Sequence, residues 1–126
     1  MIKFLIDTNI LIWYFWGSKR IDSIKEIIAS ENSDIYFSEV SLWEIMIKIR
    51  AEKLNIDIDE LLFFAKKHAF IELPVSSKFN KVYMELAKHH KDPFDHMLLA
   101  QAITCPMHFI TGDALLADYS SLVMVI

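Results

Sequence analysis

The residues best suited to chemistry in this 126-residue chain are acids. Five carboxylates lie at or near the junctions between apolar runs and helical patterns: Asp7, Glu44, Asp92, Asp95 and Asp113. Carboxylates gathered without a compensating base repel one another, so such a group is stable when a divalent cation holds it together. All-oxygen ligands favour Mg²⁺ or Mn²⁺, and a site with these parts suits metal-assisted phosphodiester hydrolysis. That chemistry requires a fold that brings the acids to one place.

Asp7 separates two hydrophobic runs at the start of the chain. Residues 4–6 are apolar, residues 7–9 are Asp-Thr-Asn, and residues 10–16 are apolar again. This pattern is typical of a buried strand followed directly by a helix. Asp7 is then predicted at the strand end, where open α/β sheets bind ligands, although it could equally serve only as the cap of the helix.

Short apolar strands and amphipathic helices alternate along the rest of the chain. Further strands are predicted at residues 35–37, 70–75, 107–111 and 122–126, and helices at 10–16, 21–28, 38–53, 57–69, 76–89, 92–106 and 114–119. Ser38 and Asp57 are predicted to cap the helices that begin with them. Five strands separated by helices predict an α/β fold with a parallel sheet covered on both faces. Right-handed crossovers bring the strand ends and the starts of the helices that precede strands to one edge, which collects all five acids.

Each acid also has a purely structural interpretation. Asp113 could cap the short helix that follows it, and Asp92 with Asp95 could be a capping pair favoured by the helix dipole. Glu44 lies on a nearly all-apolar helix, in a narrow polar stripe that includes Lys48. That stripe is either a solvated face with an ion pair worth about 0.3–0.5 kcal/mol or the wall of a cleft.

Composition limits the class of protein. The length fits one domain, and the 54% hydrophobic content suggests that some apolar surface is covered by another subunit or partner. The single Cys105 excludes an intrachain disulfide framework and favours a reducing cytoplasm, and no apolar run is long enough to span a bilayer. A net charge of −4 argues against binding nucleic acid through bulk positive charge, but it does not exclude a nuclease.

Two other classes of site remain as alternatives. A response-regulator receiver would need an acid at the end of strand three, where residues 73–76 are Leu-Pro-Val-Ser. A histidine-based metal hydrolase could use His89, His90 and His96 with the neighbouring acids, but loop histidines beside lysines are usually solvated.

Four motifs carry a resemblance to a known family. They are LIDTN at residues 5–9, SEVSLWEI at 38–45, DPFDHMLLAQA at 92–102 and ITGD at 110–113. In this order and spacing they resemble the PIN-domain ribonucleases, and in particular the VapC toxins of bacterial type II toxin–antitoxin pairs. The resemblance covers residues 1–126 as a single domain.

The resemblance implies a three-layer α/β/α fold with a five-stranded parallel sheet of order 3-2-1-4-5. It also implies a cytoplasmic, Mg²⁺-dependent or Mn²⁺-dependent ribonuclease. The implied catalytic and metal-binding residues are Asp7, Glu44, Asp95 and Asp113, with Thr8 and Asn9 orienting Asp7 and with Asp92 as a helix cap first and a supporting residue second.

The resemblance further implies an RNA substrate, a homodimer and a cognate antitoxin whose tail blocks the acidic cleft. Candidate contact surfaces are residues 13–16 and 61–64, for which packing in the core is the simpler role. The dense aromatic residues 13–16 leave open how the site is reached. A PIN nuclease of RNA processing or a non-catalytic partner-binding domain would carry much the same sequence.

Overall fold

The five strands of the computed structural model, which describes residues 1–88 and 90–126, form one parallel sheet. The strands are β1 (Ile2–Ile6), β2 (Ser33–Ser38), β3 (Ile71–Leu73), β4 (His108–Thr111) and β5 (Val123–Val125). Their order is β3-β2-β1-β4-β5, and every pair is parallel. The predicted fold class and strand order are therefore confirmed, with β1 at the centre of the sheet.

Helices connect the strands on both faces of the sheet. They are α1 (Thr8–Phe15), α2 (Lys25–Ala29), α3 (Glu39–Arg50), α4 (Ile58–Lys67), α5 (Asn80–Glu85) and α6 (Pro93–Thr104), with 3₁₀ helices at Lys19–Ile24, Ser77–Phe79 and Ala114–Tyr119. Asp57 and Ser38 cap α4 and α3 as predicted, because each side chain accepts a backbone N–H from the first turn.

One predicted helix is much shorter in the structure. The pattern over residues 76–89 predicted a single helix, but the chain forms a 3₁₀ turn and then α5, which ends at Glu85. Leu86 adopts an extended backbone and packs against a buried cluster, which turns the chain towards α6. The predicted helix end near His89 lies outside the described residues.

The alternating side chains of β1 divide the core into two halves. Phe4 and Ile6 pack on one face of the sheet with residues of α1, α3 and α4, whereas Leu5 packs on the other face with residues of α6. Because β1 is buried on both faces, the position of Asp7 directly after it is fixed by the packing of both layers.

Within the described residues, no helix is both long enough and apolar enough to cross a membrane.

Candidate metal centre

Asp7 lies between β1 and α1 and is only 5% exposed. Its Oδ1 accepts a hydrogen bond from the Thr8 backbone N–H at 2.7 Å, and its Oδ2 accepts one from the Thr111 hydroxyl at 2.7 Å. Burial raises the pKa of Asp7 to about 7, against the effect of these hydrogen bonds, and the charges of Asp95 and Glu44 raise it further. The predicted capping contact is present, but capping alone does not explain a carboxylate held in so unfavourable an environment.

Glu44 projects from α3 and is 8% exposed. Its Oε2 accepts a hydrogen bond from Lys48 Nζ at 3.0 Å, so the predicted ion pair forms. Its Oε1 is buried and has no hydrogen-bond partner among the described residues. The solvated-face interpretation is therefore wrong for Glu44, since a buried carboxylate oxygen without a partner is costly and requires an explanation.

Asp92 and Asp95 have different roles at the start of α6. Asp92 caps the helix, because its Oδ1 accepts the backbone N–H groups of Phe94 and Asp95 at 2.9 and 3.3 Å. Asp95 lies one turn further on, and its Oδ2 is 2.8 Å from His90 Nε2. Burial raises the pKa of Asp95, the hydrogen bond from His90 opposes that shift, and the charges of Asp92 and Glu44 add to it.

Asp113 follows β4 and lies beside His90 and Asp95. One ligand atom each from His90, Asp95 and Asp113 lie within 4.8 Å of one another. Asp113 also caps the 3₁₀ helix Ala114–Tyr119, where its Oδ1 accepts the Leu115 backbone N–H at 2.9 Å. Its own backbone N–H donates to the Thr111 hydroxyl at 3.0 Å. Thr111 thus connects Asp113 to Asp7.

We call the four acids predicted as ligands the acidic cluster: Asp7, Glu44, Asp95 and Asp113. Among the described residues, the ligand atoms that lie within 4.8 Å of one another include those of Asp95 and Asp113 but not those of Asp7 or Glu44. Asp7, Glu44 and Asp95 influence one another through their charges, and Asp113 lies beside Asp95. Of the supporting residues, Thr8 is buried and donates its hydroxyl to Ser41 of α3 at 2.8 Å, whereas Asn9 is exposed.

Sequence reasoning missed two residues of this site. Thr111 had a usable signal, because it is a polar residue at the end of an otherwise apolar strand, directly before Gly112 and Asp113. His90 was assigned to the usual solvated class, but its side chain is 15% exposed and contacts Asp95. His89, its partner in the alternative histidine site, lies outside the described residues.

Trp13 packs against Gly112, the residue before Asp113. A Cβ atom on Gly112 would lie 2.7 Å from the Trp13 ring, so only glycine allows the indole to pack this closely. The Arg20 guanidinium lies 4.8 Å from the centre of the same ring, in a cation–π contact. Trp13 is half-buried and packs against the core, so part of the aromatic segment combines core packing with a place at the site.

The residues present fit a divalent cation. Glu44 Oε1 is a buried acceptor without a hydrogen-bond partner among the described residues, and Asp7 and Asp95 are acids whose charged forms are disfavoured by burial and by neighbouring carboxylates. A cation among them would satisfy the acceptor and cancel the repulsion. Most of the donor atoms are carboxylate oxygens, which are the ligands of hard cations.

An apolar groove adjoins the acidic cluster. It has a volume of about 490 Å³ and lies between α3 and α6, with Val75 and Tyr83 on its rim. Trp43 and Phe94 meet in it edge to face, with ring centres 5.7 Å apart, and Trp43 is 61% exposed. We call this surface the Trp43 groove.

Comparison with known proteins defines the class of this chain. The family model described as PIN domain matches residues 4–122, so the chain belongs to the PIN domain family. PIN domains are generally nucleases that use divalent metal ions. A search among curated proteins found no match.

Three solved structures have folds similar to that of this chain. The chain is similar to a chain of VapBC2 from Rickettsia felis bound to a promoter DNA fragment, with a TM-score of 0.77, 16% identity, and coverage of 99% of this chain and 98% of that one. It is similar to a chain of a toxin–antitoxin complex from Klebsiella pneumoniae, with a TM-score of 0.69, 20% identity, and coverage of 96% and 95%. It is also similar to a chain of FitAB bound to a DNA fragment, with a TM-score of 0.56, 16% identity, and coverage of 97% and 94%. At these identities the likeness concerns the fold.

Proposed function

We propose that this PIN domain is a metal-dependent ribonuclease that hydrolyses RNA phosphodiester bonds as the toxin of a toxin–antitoxin pair. The observation that carries the proposal is the coupling of Asp7, Glu44 and Asp95 at the end of β1, with Asp113 beside Asp95. Acids gathered at one edge of the sheet in a nuclease fold match the requirement of phosphodiester hydrolysis for bound divalent cations.

The proposed ligands for Mg²⁺, or Mn²⁺ in its place, are Asp7, Asp95, Asp113 and Glu44. When bound, the cation supplies Lewis acidity at a phosphate oxygen and makes water a stronger acid. The protein contributes rigid positioning, because both oxygens of Asp7 are fixed by Thr8 and Thr111 before any substrate arrives.

Glu44 would complete the acidic cluster and orient the attacking water. Lys48 fixes its Oε2, which holds the carboxylate in place for that role. Attack in line on phosphorus breaks the bond to the 3′-oxygen and leaves a 5′-phosphate, without a covalent enzyme intermediate. Asp92 supports this arrangement indirectly, because it caps the helix that carries Asp95.

Individual basic side chains, rather than the net charge of the protein, would bind the RNA backbone. Lys48 is 42% exposed and pairs with Glu44 of the acidic cluster, and Arg20 stacks on Trp13, which packs against Gly112. Lys48 thus lies beside the acids in a chain whose formal net charge is −4. A substrate phosphate would therefore meet positive charge next to the acidic cluster.

The toxin role is supported by the fold neighbours, two of which are described as a VapBC complex and a toxin–antitoxin complex. The proposed partners are a cognate antitoxin and a second copy of the chain, and the proposed compartment is the cytoplasm. Of the two surfaces suggested by the sequence, Trp16 and Phe63 are exposed while Leu61 is fully buried, so each combines contact and core residues. The Trp43 groove offers a third, more continuous surface.

The test uses Asp7→Asn and Asp95→Asn, with Asp118→Asn as the matched control. Asp118 is an exposed acid on the 3₁₀ helix that follows Asp113, so its loss changes charge without touching the cluster. We expect the first two variants to fold but to cleave RNA at least about 100-fold more slowly, because even outer partners of metal ligands contribute about 10–100-fold. The control should cleave at the wild-type rate.

The same variants test the toxin role in cells. Expression of the wild type should arrest growth, Asp95→Asn should not, and co-expression of a short open reading frame directly upstream should relieve the arrest. Normal cleavage by Asp7→Asn or Asp95→Asn would refute the site. Cleavage by the purified protein without growth arrest or rescue would instead favour a PIN nuclease of RNA processing, and a folded wild type with no cleavage would favour a non-catalytic partner-binding domain.

A further inference from the structure

His90 lies in the loop before α6 and behaves differently from the other loop residues around it. Its neighbour Lys91 is exposed, but the His90 side chain is only 15% exposed. Its Nε2 is 2.8 Å from Asp95 Oδ2. That separation suits a hydrogen bond, and it also suits two atoms that bind the same small cation, whose ligands lie at about 2.0–2.2 Å from the ion.

The position of His90 is built by a distant part of the chain. The His90 backbone N–H donates to the Tyr119 hydroxyl at 3.2 Å, and that hydroxyl donates to the Ala87 carbonyl oxygen at 2.8 Å. Tyr119 is the last residue of the 3₁₀ helix that Asp113 caps. One short helix therefore fixes both His90 and Asp113, which is the arrangement expected of two ligands held for one ion.

A second, independent observation concerns Glu44, whose charge acts on Asp95. Glu44 Oε1 is buried without a hydrogen-bond partner among the described residues. The nitrogen of His90 and one oxygen each of Asp95 and Asp113 all lie within 4.8 Å of one another. This triad is therefore not an acidic group alone but a mixed nitrogen and oxygen donor set.

We propose that His90 Nε2 is a ligand of the divalent cation, together with carboxylate oxygens of Asp95 and Asp113, and that it shifts the preference of this site towards Mn²⁺. Imidazole nitrogen binds Mn²⁺ and later first-row ions more readily than Mg²⁺, which prefers oxygen and keeps its waters. Binding exchanges the His90–Asp95 hydrogen bond for coordination, with the imidazole neutral and its Nε2 lone pair on the ion. The inference shares Asp95 and Asp113 with the proposed function and therefore rests on it in part.

The experiment uses Mn²⁺ alone as the probe, on the full-length protein without RNA. Pulsed electron paramagnetic resonance detects a directly bound histidine nitrogen through its coupling to the Mn²⁺ electron spin. We expect that nitrogen signal in the wild type and its loss in His90→Asn. His68→Asn, which changes an exposed histidine on the far end of α4, should keep the signal. Mn²⁺ affinity should fall by on the order of tenfold or more in His90→Asn, and Mg²⁺ affinity by less.

In the alternative role, a positively charged His90 pairs with Asp95 only in the metal-free protein, and the metal ion displaces it from Asp95. In that case Mn²⁺ would bind without the nitrogen signal, and His90→Asn would bind Mn²⁺ as well as the wild type or better. Either result overturns the inference. If His90→Asn does not fold, His90→Gln takes its place in the same measurement, and a nitrogen signal that persists in it would overturn the inference.

Failure of this inference can be told apart from failure of the proposed function. RNA cleavage with no histidine coupling would refute the ligand role of His90 and leave the ribonuclease assignment intact. Histidine coupling in a protein that cleaves no RNA would do the reverse.

Discussion

The acidic cluster and the Trp43 groove adjoin each other, and α3 and α6 contribute to both. On α3, Glu44 belongs to the cluster and the preceding Trp43 lines the groove. On α6, Asp95 belongs to the cluster and the preceding Phe94 lines the groove. Adjacent residues on a helix point about 100° apart, so one pair of helices can present two unlike surfaces side by side. The cluster buries charge, and the groove exposes apolar rings.

The difference between the two regions shows that each lacks a different kind of partner. Burial disfavours the charge of Asp7, and Glu44 Oε1 has no hydrogen-bond partner among the described residues, whereas exposed Trp43 is unfavourable without an apolar surface to cover it. Substitutions in the cluster should therefore alter stability and cation response, and substitutions in the groove should alter association. The predictions below test that separation.

The largest stability effect is expected from Asp7→Asn in the metal-free protein. Asp7 has a pKa of about 7 in the fold against an ordinary value of 3.8, so its charged form opposes folding. At about 1.4 kcal/mol per unit, the upper limit of this penalty is roughly 4 kcal/mol above pH 7. Urea unfolding at pH 8 with a chelator should show a more stable variant. A less stable Asp7→Asn would contradict the burial of an unfavourable charge.

The pH dependence of the wild type supplies the sign of the same effect. Below pH 3.8 Asp7 is protonated in both the folded and unfolded states, so it contributes no pH dependence. Between that pH and about 7, only the unfolded state loses its proton, so stability falls as the pH rises. The metal-free wild type should thus be more stable at pH 5 than at pH 7.5, and Asp7→Asn should reduce this slope. Equal slopes in the wild type and Asp7→Asn would show that Asp7 is not the source of the pH dependence.

The next largest effect on stability is a loss, and it is expected from Lys48→Ala. Removing Lys48 leaves the buried Glu44 carboxylate without its hydrogen-bond donor, at a cost of about 1–3 kcal/mol. Lys25→Ala is the matched control, because it also removes a lysine that pairs with a carboxylate, but its pair with Asp22 is exposed. Its loss should cost about 0–0.5 kcal/mol of stability. Thermal unfolding of both variants measures the difference. Equal losses would mean that Glu44 is effectively solvated.

The smallest stability effect is expected from Trp43→Ser. Trp43 is 61% exposed, so the variant should unfold within about 0.5 kcal/mol of the wild type and keep its response to Mg²⁺. Sedimentation should show weaker self-association, because exposed aromatic residues often dominate interfaces. Met84→Ser is a suitable control, since Met84 is exposed and does not line the groove. Loss of Mg²⁺ response in Trp43→Ser would abolish the separation between the two regions.

Local sequence patterns were sufficient to predict most of the framework. The strand before Asp7 and the caps at Ser38, Asp57 and Asp92 depend on neighbours within four residues, and the structure confirms them. The strand order came from the family resemblance and is confirmed as well. The candidate ligands were found because each occupies a motif at a strand end or in a helix.

The remaining features depend on residues far apart in the chain. The His90 backbone N–H donates to the hydroxyl of Tyr119, 29 residues later, and no local pattern encodes that contact. Trp43 belongs to a nearly all-apolar helix, so the sequence could not distinguish its exposed face from its buried one. The early end of α5 likewise follows from the packing of Leu86 against a distant cluster.

The most direct test of the central claim is RNA cleavage by the purified wild type after removal and restoration of divalent cations. A metal-dependent hydrolytic centre should give no cleavage in a chelator, recovery on addition of Mg²⁺ or Mn²⁺, and products that carry a 5′-phosphate. Cleavage that persists in the chelator, or products that end in a 2′,3′-cyclic phosphate, would contradict a hydrolytic centre formed by Asp7, Glu44, Asp95 and Asp113.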